Sequence, residues 1–119
     1  MFFASTHIPT AEAAKYILKL CRHFAHKVPA EFTEHDGQVR FAQGQCVMNA
    51  EPQGLSIYLQ SPQEDGIRAM QFIIDDHLQR FVRFETLSYQ WTAEVPPAQL
   101  PALDALARQP AQAPTGSAA

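Results

Sequence analysis

Apolar and polar residues alternate along two stretches of the chain, residues 55–60 and 86–92. A two-residue period is typical of a β-strand that buries one face. Turn sequences that end in glycine, among them Asp36-Gly37 and Gln43-Gly44, separate shorter stretches of strand character. These further strands are predicted at residues 2–8, 28–33, 38–42 and 45–50. Because tight turns join the four central strands, we expect them to form an antiparallel meander.

A period of about 3.6 residues predicts two helices. The first follows Pro9-Thr10, and the second opens at Ser61-Pro62. The apolar stripe of the first helix consists of Ala13, Ile17, Leu20, Cys21 and Phe24. Its opposite side carries Glu12, Lys15, Lys19, Arg22, His23 and His26. The stripe of the second helix consists of Ile67, Met70, Ile74, Leu78 and Phe81. Each helix is therefore expected to bury one side and to expose the other.

The predicted element order is β-α-β-β-β-β-α-β. Helices that each carry one apolar stripe cover one face of a sheet, so we predict an α+β two-layer sandwich with an antiparallel sheet and two helices on one face. The palindromic order is similar to that of TATA-binding-protein-like sheets, a likeness of fold alone. Residues 1–95 are expected to form this single domain. Residues 96–119 are rich in proline and alanine and are predicted to be a mostly disordered tail, in which Leu100, Leu103 and Leu106 have the spacing of one or two docked helical turns.

The composition fits one globular domain, since 46% of the 119 residues are hydrophobic and 18% are charged. The formal net charge of −3 argues against nucleic acid as a partner. No apolar run is long enough to cross a membrane, and no basic segment precedes Phe2 and Phe3, so neither a membrane partner nor a signal peptide is predicted. We expect a cytoplasmic protein in which Cys21 and Cys46 remain thiols.

Residues 20–27 contain one cysteine and two histidines, which are ligand types for zinc and iron. On a helix Cys21 and His23 diverge by about 200°, so they can share an ion only if the helix ends early. The hypothesis of a metal site draws on Cys21, His23, His26, Cys46 and His77. Its alternative is that both cysteines are buried in the core as small apolar residues.

The exposed side of the first helix is also basic, which favours an anion over a bare cation. A carboxylate, a phosphate group or an acidic protein surface would suit it. If the two helices lie side by side, His77 on the second helix can approach His23. The candidate ligand-binding residues are Lys19, Arg22, His23, His26, Lys27, His77 and Arg80.

Sequence patterns of common catalytic sites are missing from the chain. It contains no GxSxG, HExxH or CxxC sequence and no glycine-rich phosphate loop. No set of nucleophile, base and orienting group stands out either. We therefore expect that the protein is not an enzyme, and the sequence leaves the identity of any cofactor unknown.

Three strings of residues resemble a known bacterial family, the one catalogued as domain of unknown function 2218. They are Leu20-Cys21-Arg22-His23-Phe24-Ala25-His26-Lys27-Val28, the Gly44-x-Cys46 step, and His77-Leu78-x-Arg80-Phe81 with Trp91 beyond it. The resemblance covers about residues 4–92. It implies a small bacterial protein without an assigned activity or catalytic residue. Similar domains are found joined to flavin-dependent siderophore-interacting reductases, which implies a context of iron handling.

Three hypotheses of function follow. The first is a non-catalytic accessory or ligand-binding domain associated with iron or siderophore metabolism, whose partner is an anionic small molecule, a ferric siderophore or a flavin-dependent siderophore reductase. The second is a metal-binding protein with cysteine and histidine ligands. The third is a protein interaction module, for which Tyr58 and Tyr89 are candidate anchors on the exposed face of the sheet.

Overall fold

The computed structural model describes residues 1–109 of the chain. This part contains five β-strands and three α-helices. Their order is β1 Phe2–Pro9, α1 Ala13–Phe24, β2 Ala30–Phe32, β3 Asp36–Phe41, β4 Gly44–Glu51, β5 Gly54–Ser61, α2 Glu64–Phe81, a 3-10 turn Pro97–Gln99 and α3 Leu100–Ala107. No helix among these residues is both long enough and apolar enough to span a membrane.

The strands form one antiparallel sheet in the order β1-β5-β4-β3-β2. The predicted meander is therefore confirmed, and β1 adds to its β5 edge. The hairpin between β4 and β5 turns at Gly54, which has a φ of 156° that favours glycine. A Cβ atom there would lie 2.2 Å from the carbonyl oxygen of Ile8 on β1. A side chain at this position would thus push the edge strand away.

The helices α1 and α2 pack on one face of the sheet and enclose the main core. Cys46 and Met48 of β4 face them, together with Ile57 and Leu59 of β5. The predicted stripe of α1 is fully buried, and that of α2 is buried except for the partly exposed Phe81. The α+β class with helices on an antiparallel sheet is confirmed.

The sixth predicted strand, at residues 86–92, does not form. Its backbone pairs with β1 at a single bridge, between Ser5 and Thr92. The side chains of Leu87, Tyr89 and Trp91 nevertheless pack against the core, as a period of two requires. The segment is fastened by its side chains and by a bond from Thr6 Oγ1 to the Gln90 carbonyl at 2.8 Å, so it needs no strand ladder.

Part of the proline- and alanine-rich tail is ordered in the structure, at residues 97–107. Here the docked turns expected around Leu100 lengthen into α3, which packs on the sheet face opposite α1 and α2. Leu103 and Leu106 bury against Val47 in a small second cluster. The helix covers Val47, whose side chain points to that face because Val47 lies between two residues of the main core, Cys46 and Met48. Residues 110–119 of the predicted tail lie outside the described residues.

Candidate ligand-binding cleft

The C-terminal halves of α1 and α2 bring His23 and His77 together. Their ring centroids lie 4.5 Å apart, with an angle of 56° between the ring planes. The two residues are 54 positions apart in the chain, and the approach arises because the helices lie side by side on the sheet. The paired imidazoles are the centre of the candidate site.

Aromatic side chains surround this pair. Phe24 lies 5.0 Å from His77 and 5.0 Å from Phe41, in both cases edge to face. Phe81 lies 5.9 Å from each imidazole. These separations are in the range of favourable aromatic pairs. Phe24 and Phe41 are buried, so they form a rigid apolar floor beneath the imidazoles.

A hydrogen bond fixes the orientation of His77. Its Nδ1 lies 2.6 Å from the carbonyl oxygen of Ile73, one turn earlier in α2. Because a carbonyl oxygen only accepts, Nδ1 carries the proton and donates it. In the neutral ring Nε2 therefore bears the free lone pair. An anion that contacts Nε2 needs a second proton on the ring, whereas a metal ion needs none.

The environment of His23 disfavours its charged form. Partial burial of the ring lowers the pKa of His23 from its ordinary value, and positive charge on His77, His26, Lys27 and Arg80 acts in the same direction. The surroundings of His23 are thus electropositive, and the charge of a negative ligand would reduce the repulsion among these positive groups.

A cleft of about 340 Å³ opens beside the two imidazoles. The end of α1 supplies His23 and Phe24, and the turn after it supplies Lys27. The β3–β4 hairpin supplies Phe41, and α2 supplies His77. Its volume is in the range of small-molecule sites. The cleft is therefore large enough for a small organic ligand.

The remaining candidate ligand-binding residues lie outside the lining of this cleft. Arg22 and His26 are exposed on α1. Arg80 is exposed on α2 and pairs with Asp76 at 3.1 Å. Lys19 lines a different groove, of about 460 Å³, near the start of α1. Of the predicted set, His23, Lys27 and His77 are the residues that the fold gathers around the cleft.

The candidate metal ligands are divided between the core and the surface. Cys21 and Cys46 are buried free thiols, and Cys21 faces Gly37 of β3. Burial raises the pKa of Cys21 to about 12 and also raises that of Cys46, on which Cys21 acts in addition. Both thiols therefore lie in the core, away from the surface histidines. Within residues 1–109 no three His, Cys, Asp or Glu side chains are grouped so that they could hold a metal ion.

A second polar cluster, which the sequence did not indicate, lies on the other face of the sheet. His7 Nδ1 is 3.0 Å from Ser56 Oγ, and Ser56 Oγ donates to Glu51 Oε1 at 2.7 Å. In a catalytic serine the hydroxyl donates its hydrogen bond to histidine. Here the hydroxyl of Ser56 donates to Glu51 instead. The cluster therefore joins β1, β4 and β5 rather than forming a nucleophile and base pair.

The two tyrosines expected as exposed anchors are both engaged within the chain. Tyr58 is partly buried against the α3 cluster. Tyr89 packs on the main core and donates to Asp75 Oδ1 at 2.6 Å. Tyr58 is therefore only partly accessible, and the hydroxyl of Tyr89 already has an acceptor within the chain.

The floor of the cleft was missed by the sequence analysis. Phe24 belongs to the predicted apolar stripe of α1, and Phe41 falls within the strand predicted at residues 38–42; both are buried. No local spacing indicates that their edges border a cleft, because α1 and the β3–β4 hairpin meet only in the folded chain.

The fold and cleft define a small α+β domain with an aromatic, imidazole-lined site. The chain belongs to the family described as an uncharacterized protein conserved in bacteria (DUF2218), whose model matches residues 5–92. It is also similar to the protein whose structure is titled "NMR structure of PA4090 from Pseudomonas aeruginosa", with 38% sequence identity and a TM-score of 0.67. That match covers 80% of this chain and 100% of the other. No curated protein matches the chain. The helix α3 lies beyond the residues that the family model matches.

Proposed function

We propose that the protein is a non-catalytic binding domain for a small anionic molecule, which it holds in the cleft between α1 and α2. The observation that carries this proposal is the His23–His77 pair, which stands over an aromatic floor with Lys27 at its edge. Imidazole N–H groups and an ammonium group are donors for a carboxylate or another oxyanion.

The charges around the cleft favour an anion over a bare cation. Lys27 lines the cleft, and both Lys27 and Arg80 of α2 lower the pKa of the His23 imidazole through their positive charge. Two imidazoles could hold a metal ion, but these cations would oppose it. An anion instead reduces the mutual repulsion of the positive groups.

Ferric siderophores are the ligand class that this proposal places first. They are often anionic, and the iron is already held by the chelator, so the protein would need to supply charge and donors rather than metal ligands. The resemblance to domains joined to siderophore-interacting reductases motivates this choice. A flavin-dependent siderophore reductase is the corresponding protein partner.

Calorimetric titration of tag-free protein tests the proposal. The ligands are a ferric catecholate, a ferric hydroxamate, benzoate and inorganic phosphate. Binding of at least one of these anions is expected, and Lys27→Gln should weaken it by about tenfold, because a charge-assisted contact is lost. The matched control is Arg108→Gln, which removes a positive charge at the end of α3, on the opposite face of the sheet.

The outcomes separate the parts of the proposal. No binding of any anion contradicts the anion site itself. Binding of simple anions without either ferric chelate retains the site and contradicts the siderophore assignment. An equal loss in the Lys27→Gln and Arg108→Gln variants places the ligand elsewhere on the surface.

A metal-binding function is the second candidate, and one observation favours it. The Nδ1 of His77 donates to a carbonyl oxygen, which leaves Nε2 unprotonated, and this is the orientation that metal-ligating histidines have. Native mass spectrometry and elemental analysis of tag-free protein with Zn(II) and Co(II) test it. Stoichiometric metal that is lost in the His77→Gln variant would support this candidate, and metal-free protein would remove it. Thiolate charge-transfer absorption with Co(II) would in addition bring in Cys21 or Cys46.

A further inference from the structure

Four of the nine residues that line the cleft carry a ring, namely His23, Phe24, Phe41 and His77. Within it the His23–His77, His77–Phe24 and Phe24–Phe41 pairs form a continuous row, with centroids 4.5, 5.0 and 5.0 Å apart. Apolar side chains of Val28 and Ile73 extend this surface. A ligand in the cleft therefore contacts ring edges and faces as well as the charge of Lys27.

The polar groups of the cleft are few. Of the described lining residues, Lys27 carries the one permanent positive charge, and Gln43 supplies an amide from the β3–β4 hairpin. A compact anion such as phosphate, placed against Phe24 and Phe41, would lose water without gaining enough donors. A neutral ring would leave the electropositive surroundings of His23 without a partner.

The size of the cleft further restricts which ligands fit. A volume of about 340 Å³ is near the lower end of the range for small-molecule sites. One substituted ring fits inside it, whereas a larger ligand could insert only one arm. Stacked and edge-on contacts with several rings also reward a flat ligand over a puckered one.

We propose that the cleft is specific for a planar aromatic acid, one ring with a carboxylate or a similar oxyanion, whose ring contacts the aromatic row while its charge meets Lys27 and the imidazoles. This inference rests on the proposed function, because it assigns a ligand class to the same site. It makes the rings, and not the charge alone, the source of selectivity.

A matched pair of ligands tests this inference. Benzoate and cyclohexanecarboxylate have the same charge and similar size, but only the first is flat and aromatic. In NMR titrations we expect benzoate to bind at least about tenfold more tightly. Its ring current should shift the resonances of His23, Phe24 and His77. Benzamide, which is flat but neutral, should bind more weakly than benzoate.

Two variants separate the contribution of the rings from that of the charge. Phe41→Leu keeps an apolar side chain and removes a ring, so it should reduce the preference for benzoate over cyclohexanecarboxylate. Lys27→Gln should weaken both carboxylates and leave their ratio unchanged. Lys27 is exposed, so the second variant remains informative if Phe41→Leu fails to fold.

The two levels of the proposal fail in different ways. Equal binding of benzoate and cyclohexanecarboxylate overturns the aromatic specificity and leaves the anion site in place. If no anion binds, neither the two carboxylates nor phosphate nor a ferric chelate, the proposed function itself is overturned. Equal binding of benzoate and benzamide would show an aromatic site without a role for charge, which also contradicts the inference.

Discussion

Tyr89 donates a hydrogen bond to Asp75 Oδ1 at 2.6 Å, and this bond ties the last segment of the family region to α2. Trp91 Nε1 donates to the same carboxylate, at 3.0 Å from Oδ1 and 3.2 Å from Oδ2. Burial raises the pKa of Tyr89, and the bond to Asp75 adds to this effect. One carboxylate thus satisfies two partly buried donors that are two residues apart.

Replacing Asp75 should destabilise the fold. Asp75→Ala leaves the hydroxyl of Tyr89 and the indole N–H of Trp91 without an acceptor, and we expect a loss of about 1–3 kcal/mol in the free energy of unfolding. Urea denaturation followed by the fluorescence of the single tryptophan measures it. The control is Asp76→Ala, which removes only the surface pair with Arg80 and should cost less than about 1 kcal/mol. Similar losses in the two variants would contradict the anchoring role of Asp75.

The Asp75 contacts also explain why the sequence predicted a strand at residues 86–92 that does not form. The two-residue period of residues 86–92 places Leu87, Tyr89 and Trp91 on one side of the segment, and in the structure that side packs against the core. It could not indicate backbone pairing, because a period of two reports which side chains are buried and says nothing about the neighbouring strand. Long-range side-chain bonds to α2 fix this segment, and those bonds depend on the tertiary fold.

The candidate site was predictable only in part for the same reason. Helical spacing separated the exposed His23 from the buried Cys21, and the structure agrees. The sequence indicates that His77 can approach His23 only if the two helices lie side by side, and the structure has that arrangement. The floor contributed by Phe41 could not be predicted, because it depends on how the β3–β4 hairpin meets the ends of both helices.

The helix α3 should detach without unfolding the sheet. It buries only Leu103 and Leu106, and the amide of Gln60 reaches its Leu103 carbonyl at 3.4 Å, a long bond. We expect Leu103→Ala to raise amide hydrogen exchange over residues 100–107 while the exchange of β4 and β5 stays unchanged.

A core substitution provides the control for α3. Ile57→Ala on β5 removes a fully buried side chain from the main core, and it should cost about 2–5 kcal/mol and raise exchange throughout the sheet. If Leu103→Ala also raises exchange throughout the sheet, α3 is an integral part of the cooperative fold and the prediction is wrong.

The two cysteines should be unreactive in the folded protein. Burial raises the pKa of Cys21 to about 12 and raises that of Cys46 as well, so the thiolate that attacks a disulfide reagent is scarce. With an aromatic disulfide near pH 8 we expect no reaction in buffer and two reacting thiols per chain in urea. Rapid modification in buffer would show that the core opens near α1, and it would return the cysteines to the candidate metal ligands.

The binding of an aromatic anion should strengthen as the pH falls. The free protein disfavours the charged form of His23, and the neutral ring of His77 presents a lone pair at Nε2. An anion favours the protonated ring of His23, so its binding is accompanied by proton uptake. We expect the affinity for benzoate, which stays ionised throughout, to rise severalfold from about pH 8 to about pH 5.5. Metal binding would weaken over the same range, because the ligating imidazoles must be neutral.

The stability of the free protein should change in the opposite direction. Because the pKa of His23 is lowered in the folded state from its ordinary 6.5, the unfolded chain binds more protons in this range, and the contribution of His23 to stability falls as the pH drops below 6.5. Comparison with His23→Gln isolates that contribution from other titrating groups, and His35→Gln, in the turn before β3, is the matched control. Urea denaturation at each pH measures how the free energy of unfolding depends on pH. Calorimetric titrations at each pH measure how the affinity for benzoate depends on pH. An affinity for benzoate that is independent of pH in the wild type, or equally dependent on pH in His23→Gln, would remove His23 from the anion site.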